Sequence, residues 1–342
     1  MPLVRLACSV VLCATVVIAT TTGSGAARGQ QAGFPLAPGD PPLEHSGLGA
    51  VPRFEVPAGG KRSEISISST FSKIVLTRAD GSIFAEREVD SEGRIFTSTY
   101  HAPDGSTLTI DPIYGLGDSS TADGPRHLNS RFEIPVRTKT DSHSRRPQAS
   151  CGGSDFSLNN AKWYTQFVWR LRESSVPVYL SPTTTLDNIR NAHSEWYNNS
   201  NWCGIADFSA IGIGYGGSTT SVASLSSDGL SVMDFGSVAS LGFSGCSSAN
   251  VIACAWFWTS PATQIVEADA RFDLDGGPIW TNGSAVGYYD VWHVAAHEIG
   301  HQIGLQHTDQ DPTEVMYPTA YWADTSNRLL GKGDANGNNN KY

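Results

Sequence analysis

The sequence predicts an α+β protein with an all-β front half, and three observations predict it. Glycines recur every twelve residues between β-forming runs near the N-terminus, at Gly81, Gly93 and Gly105. Short apolar β-type runs with a helical pattern among them follow Cys151. A second helical pattern, which opens a run of three histidines at residues 297–307, comes late in the chain. Strands first, with one helix early and one late, describe a layered domain behind a separate β-rich region.

The chain has 342 residues, enough for two domains with cores of their own. Hydrophobic residues make up 39 % and charged residues 16 %, which places it among globular chains. The net charge is -10 and no Lys/Arg cluster forms a nucleic-acid footprint, so nucleic acid and anionic membrane are excluded as expected partners.

Residues 1–27 read as a secretory signal peptide. A short charged start ends at Arg5, the uncharged run LACSVVLCATVVIAT follows, and small residues lead to a cleavage zone near Ala26 or Ala27. A run of about 15 residues is too short to span a bilayer comfortably. The expected location is therefore secreted, extracellular. Residues 28–60 are rich in Pro, Gly and Ala and read as a flexible leader.

In residues 61–114, RADGSIF, DSEGRIF and APDGSTL each place an Asp-Gly or Glu-Gly turn before β-formers, with alternating runs such as EISIS and TLTI between them. That is an antiparallel meander. His101 and His127 stand alone and read as surface residues. Residues 115–150 form a polar linker with Arg145-Arg146 in its most exposed-looking part, a candidate processing site.

From Cys151 onwards the chain turns aromatic, with tryptophans from Trp163 to Trp322. YTQFVWRL has strand character. In TTTLDNIRNAHSEWYN, Leu186, Ile189, Ala192 and Trp196 fall at helical spacing behind a Thr cap, with Asp187 in the first turn and His193 on the helix surface. The runs SAIGIGYGG, LSVMDFGSV, VIACAWFW and QIVEADARFD read as strands. Removal of the signal leaves Cys151, Cys203, Cys246 and Cys254. Four cysteines in a secreted chain imply two disulfides with three pairings open. Cys246 and Cys254, eight apart, are placed to close a small loop, which leaves Cys151 with Cys203. Asn198 and Asn282 begin glycosylation sequons.

Residues 297–307 read HEIGHQIGLQH. Histidines four apart on a helix point the same way, so His297 and His301 can both reach one ion at roughly 2.1 Å. The opposite stripe of Trp292, Ala295, Ile299 and Ile303 is apolar, and Asp290 can cap the helix start. Gly304 can leave helical dihedrals at no steric cost, so that His307 swings back as a third ligand. Three neutral imidazoles leave zinc an open fourth position for water. Glu298 stands beside that water, where a carboxylate can act as general base and then general acid. His293, one turn before His297, reads as a cleft-edge residue.

This run, with VMYP at 315–318, resembles the metzincin clan of zinc endopeptidases, and the matrixins most closely. Met316 matches the methionine turn and is followed by Tyr-Pro as in matrixins. Thr308 stands where matrixins usually have Ser. The resemblance spans roughly 155–335 and implies a twisted, mostly parallel five-stranded sheet with an active-site helix and methionine turn. It also implies an extended peptide substrate along an edge strand at 251–257, and a specificity pocket walled by residues 318–321.

The resemblance has gaps as well. EADARFDLDGGPIWT looks like the acidic metal segment of the family, which makes Asp269, Asp273 and Asp275 a candidate calcium site. Cys254 and Arg271, however, stand where ligands of a structural zinc are usual, so that zinc is expected to be absent. CGGSD at Cys151 lacks the Pro-Arg of the family's latency motif, and cysteine parity favours a disulfide there.

The expected protein is thus a secreted, monomeric zinc endopeptidase of residues 151–342. It is preceded by a β-rich pro-region that makes it a zymogen. Two alternatives remain at this level: a binding or adhesion protein whose β-rich region is the working module, and a zinc hydrolase of a non-protein substrate.

Overall fold

A computed structural model describes residues 53–68, 71–116, 151–243, 245–248, 250–261, 263–275, 279–308 and 311–342. The expected signal peptide, most of the leader, His127 and the Arg145-Arg146 linker lie outside the described residues.

The N-terminal part is a meander of β1 (Lys61–Ser66), β2 (Phe71–Thr77), β3 (Ile83–Asp90), β4 (Ile95–His101) and β5 (Thr107–Leu116), each antiparallel to the next. The twelve-residue glycine period marks its turns. Gly81, Gly93 and Gly105 have φ of 86°, 79° and 89°, a left-handed conformation that only glycine adopts without strain. Asp80 and Asp104 lock their turns by accepting the backbone N–H two residues on, from Ser82 and Ser106.

Past residue 150 come β6 (Ser157–Leu158), β7 (Phe167–Leu171), α1 (Pro182–Tyr197), β8 (Ile213–Ser218), β9 (Ser231–Gly236), β10 (Val251–Thr259) and β11 (Ile265–Asp273). They are followed by β12 (Trp280–Thr281), β13 (Tyr289–Asp290), α2 (Val291–Gln302), β14 (Leu305–Gln306), β15 (Thr319–Tyr321) and α3 (Lys332–Lys341). Five of these strands lie in the order β10-β11-β9-β7-β8. Only β10 and β11 are antiparallel neighbours, the other pairs being parallel. Mixed sheet and helices make the α+β architecture.

The two halves share one sheet. β5 pairs antiparallel with β10, so the meander continues the sheet that carries the histidine helix on its face. Residues 251–257, expected as a free edge strand, are therefore interior to the sheet. Their open hydrogen-bonding side is satisfied by β5, as an unpaired β-edge demands. One core lies between sheet and helices and includes Trp169, Trp196, Phe257, Phe272, Val294 and Ile299. A second lies on the opposite face, around Tyr100, Ile110, Phe243, Trp256 and Trp258.

Several local expectations need correcting. Helix α1 starts at Pro182, capped by Ser181 accepting from Thr184 N–H, rather than behind a threonine. Proline at the first helical position explains the earlier start, since its missing N–H has no intrahelical partner there anyway. His193 is not on the helix surface. It is buried and stacks on Trp169 with ring centroids 3.9 Å apart, and its Nδ1 lies 2.9 Å from the Ile189 carbonyl. Burial holds its pKa down to about 3, so it is a neutral packing residue.

Helix α3 was not anticipated, because KGDANGNNNK is a poor helix former. Tertiary contacts hold it instead. Asn338 donates to the Trp196 carbonyl at 2.8 Å, and Lys341 reaches the Asn159 carbonyl. The Tyr342 hydroxyl donates to the Ile303 carbonyl at 2.7 Å.

Both disulfides join the pairs that spacing suggested, Cys151 with Cys203 and Cys246 with Cys254. Among the described residues no helix is long and apolar enough to cross a membrane.

Candidate metal centre

Helix α2 begins where Asp290 accepts the His293 N–H at 3.0 Å, and the Arg328 guanidinium holds Asp290 in turn through two bonds of 2.8 Å. The helix ends at Gly304, whose φ of 88° reverses the chain so that β14 leads back to His307. A side chain at 304 would also meet the Ala161 carbonyl at 2.7 Å, so glycine is required twice over.

The result is convergence. The Nε2 atoms of His297, His301 and His307 stand 3.0, 3.1 and 3.2 Å from one another. Two nitrogens bound tetrahedrally to one zinc at about 2.1 Å are about 3.4 Å apart, so the triad has the spacing the ion imposes. The unused nitrogens fix the tautomer. Nδ1 of His297 faces the Val315 carbonyl at 2.7 Å and Nδ1 of His301 the Leu305 carbonyl at 3.0 Å. A proton on each Nδ1 leaves Nε2 as a bare lone pair aimed at the metal. Burial pushes all three histidine pKa values down, that of His301 to about 3, so the ligands are neutral as metal binding requires. Among the described residues these three form the only cluster of metal-ligating side chains so arranged.

Glu298 is fully buried, and neither carboxyl oxygen has a hydrogen-bond partner. Burial first, and the nearby Asp111 second, raise its pKa well above the ordinary value. A buried, unpaired carboxyl is costly, and such groups persist mainly where chemistry uses them. Glu298 is not among the residues whose ligand atoms converge.

Met316 packs against α2 at Gly300, in a turn wired to the triad. Thr308 N–H donates to the Met316 carbonyl at 3.0 Å, while the Val315 carbonyl accepts from His297 Nδ1–H. The amides of Val315 and Met316 in turn donate to Asp334 of α3 at 2.6 and 3.1 Å. Glu314 closes this base by accepting from the amides of Gly333 and Asp334. Gly300 matters too. A Cβ there would stand 2.1 Å from Met316 Sδ and 2.8 Å from Trp196 Cζ2, so α2 can approach the methionine turn only at glycine. Sequence reasoning missed Gly300, Glu314 and Asp334, whose signal lies only in contacts distant along the chain.

Two predictions arise here. Gly300→Ala forces Met316 and Trp196 apart and is expected to cost about 1–3 kcal/mol, the usual penalty of overpacking. Chemical denaturation reads that loss, and zinc retention during dialysis should fall with it. Retention and stability equal to wild type would show that the turn gives way freely.

The second concerns the Glu314–Asp334 pair. Burial, and then the Asp334 charge, raise the Glu314 pKa to about 9, so the folded chain keeps a proton that the unfolded chain releases near 4.5. That contribution to stability is complete below about pH 4.5 and is lost as pH rises towards 9. Glu314→Gln removes the titration, so Tm of wild type relative to the variant should drop steadily between pH 5 and 9. Parallel Tm curves would contradict the shared proton.

The other singled-out residues fare differently. His293 is buried rather than at a cleft edge, with Nδ1 3.3 Å from the Asp324 carbonyl. Asp269, Asp273 and Asp275 do not gather with one another into a ligand cluster. Asp269 accepts from the amides of Ser224 and Val232, Asp273 from that of Val238, and Asp275 from the Ser237 hydroxyl. Arg271, on the same face of β11 between Asp269 and Asp273, brings its own cation and pairs with Asp234 at 2.7 Å. Arg271 pairs on β11 with Cys254, itself disulfide-bonded, so neither is free to ligate a metal.

A parallel-rich sheet with a histidine helix, a glycine turn to a third histidine and a methionine turn beneath define the metzincin class. Residues 240–342 match the family model of the matrixins. Human neutrophil collagenase is 43 % identical to this chain over 74 residues, covering 22 % of this chain and 15 % of that protein. Human matrilysin is 42 % identical over 69 residues, and cat matrilysin 44 % over 66 residues; each match covers 24 % of the relative. The chain therefore spans between about a seventh and a quarter of the length of these relatives.

Proposed function

We propose that this chain is a secreted zinc-dependent endopeptidase in which Glu298 is the general base and acid. The convergence of three Nε2 atoms, with a buried, unpaired carboxyl on the residue that follows His297, carries that reading. Zinc held by His297, His301 and His307 would supply Lewis acidity and activate water. Glu298 takes the proton as a peptide carbonyl is attacked and returns it to the leaving amine. With β5 displaced, the main-chain groups of β10 would hold the peptide extended, as an added strand. Residues 318–321 wall the pocket that receives one substrate side chain, and Met316 supports the ligands from below.

Residues 1–27 act as the signal for export and residues 61–114 as a pro-region. The donor set of Asp269, Asp273 and Asp275 is already engaged, so calcium is not assigned to it.

The test is cleavage of a mixed pool of unstructured peptides by the chain processed between Leu116 and Cys151, before and after treatment with a zinc chelator. Cleavage that the chelator abolishes and added zinc restores is the expected result. A folded, zinc-loaded chain that cuts nothing in the pool would overturn the proposal.

A further inference from the structure

Without the meander, β10 would be the outermost strand of the sheet that carries α2. In the whole chain that position is filled. β5 runs antiparallel along β10, from Thr107 opposite Thr259 to Tyr114 opposite Val251. Its far end pairs parallel with β15, through Thr319 opposite Tyr114 and Ala320 opposite Gly115. β5 therefore lies in the slot between β10 and the segment that follows the methionine turn. An extended peptide needs the same main-chain donors and acceptors, and β5 already uses them.

The occupancy reaches the metal centre. Asp111 Oδ2 lies 3.7 Å from His301 Nδ1, and the Phe96 ring meets the His307 ring edge-on with centroids 5.4 Å apart. His297, Glu298 and His301 have no exposed surface under this cover. Ile113 is buried in the core that α2 shares, while Ile110 and Tyr114 face the second core with Trp256 and Trp258. The hydroxyls of Thr107 and Thr259 bond at 2.8 Å and fix the register. Residues from both faces of β5 are thus committed. Cys151, Cys203, Cys246 and Cys254 are all disulfide-bonded, so among the described residues no thiol is left to shield the metal.

We propose that the meander is a built-in inhibitor, with β5 a tethered strand that occupies the peptide track and shuts the metal centre until it is displaced. The proposal rests on reading this cleft as a peptide-binding track. The ligand that competes with β5 is an extended peptide rich in β-branched residues, as TLTIDPIYGL itself is. A tethered strand acts at an effective concentration in the millimolar range, so an outside peptide gains entry once the tether is cut and the meander diluted away.

The experiment uses the full chain carrying Glu298→Ala, with a specific protease recognition sequence placed between Leu116 and Cys151. Binding of a dye-labelled Thr107–Leu116 peptide is measured before and after the cut. At least about tenfold tighter binding to the cut chain is expected, since the tethered competitor has been released. The uncut Ile113→Asp chain offers a second route, because a carboxylate forced into that core loosens docking without touching the metal ligands. It too should bind the peptide more tightly than its uncut parent.

Equal binding by uncut, cut and Ile113→Asp chains would overturn the inhibitor. The same cut in the chain with Glu298 intact separates this proposal from the proposed activity. Tighter peptide binding without any gain in cleavage leaves the strand as the occupant of the track and removes the peptidase reading. Full cleavage by the uncut chain removes the inhibitor and leaves the peptidase.

Discussion

Glu298→Ala is expected to lower kcat/KM for peptide cleavage by at least about 100-fold while zinc stays bound, because general acid–base catalysis contributes about 10²–10⁴-fold. The reason is positional. Glu298 follows His297 in the chain and shares its burial, yet its carboxyl lies outside the cluster of three Nε2 atoms. In the proposed reaction, removing it takes away proton transfer and leaves every ligand in place. Stability should not suffer, since both carboxyl oxygens are buried without a partner and their loss relieves desolvation. A variant that cleaves at wild-type rate would remove Glu298 from the chemistry. One that loses its zinc would show a structural role instead. The comparison belongs on the processed chain, where the inferred β5 block does not mask a rate.

Trp196→Ala is expected to destabilise the fold by about 3–5 kcal/mol, the range for truncating a fully buried aromatic side chain. Trp196 has no exposed surface and stands where α1 crosses α2. Its Nε1 donates to the Ala296 carbonyl at 2.7 Å, one residue before the first ligand, and its ring bounds the space that Gly300 leaves open. The variant therefore loses packing, a buried hydrogen bond and the support of the ligand helix together. Denaturant unfolding measures the loss, and a change below about 1 kcal/mol would mean that the helices hold their contact without the indole.

The sequence made the metal centre legible because its parts are local. His297, Glu298, His301, Gly304 and His307 fall within eleven residues, and helical geometry plus one positive φ converts that spacing into convergence. The meander was legible for a similar reason, since turn chemistry repeats around Gly81, Gly93 and Gly105. What remained hidden depends on contacts far apart in the chain. Nothing near Thr107 or Val251 announces that these segments pair, and β-pairing at that separation leaves no periodic trace.

Residue type misled in the same way. His193 looks like a surface residue until Trp169 is placed against it, and the α3 segment looks like a loop until Asp334 and Asn338 find partners. In each case tertiary burial overrode a local preference. The acidic segment at Asp269 to Asp275 is the converse case. Its composition suggested a cation site, but Asp269 and Asp273 accept from backbone amides and Asp275 from the Ser237 hydroxyl.

The central claim is that three imidazoles hold one zinc, and metal content tests it most directly. Elemental analysis of the purified full chain, dialysed against metal-free buffer, should give one zinc per chain, and the His301→Ala chain should retain none. Zinc absent from the wild type, or kept equally by the variant, would contradict the centre described here.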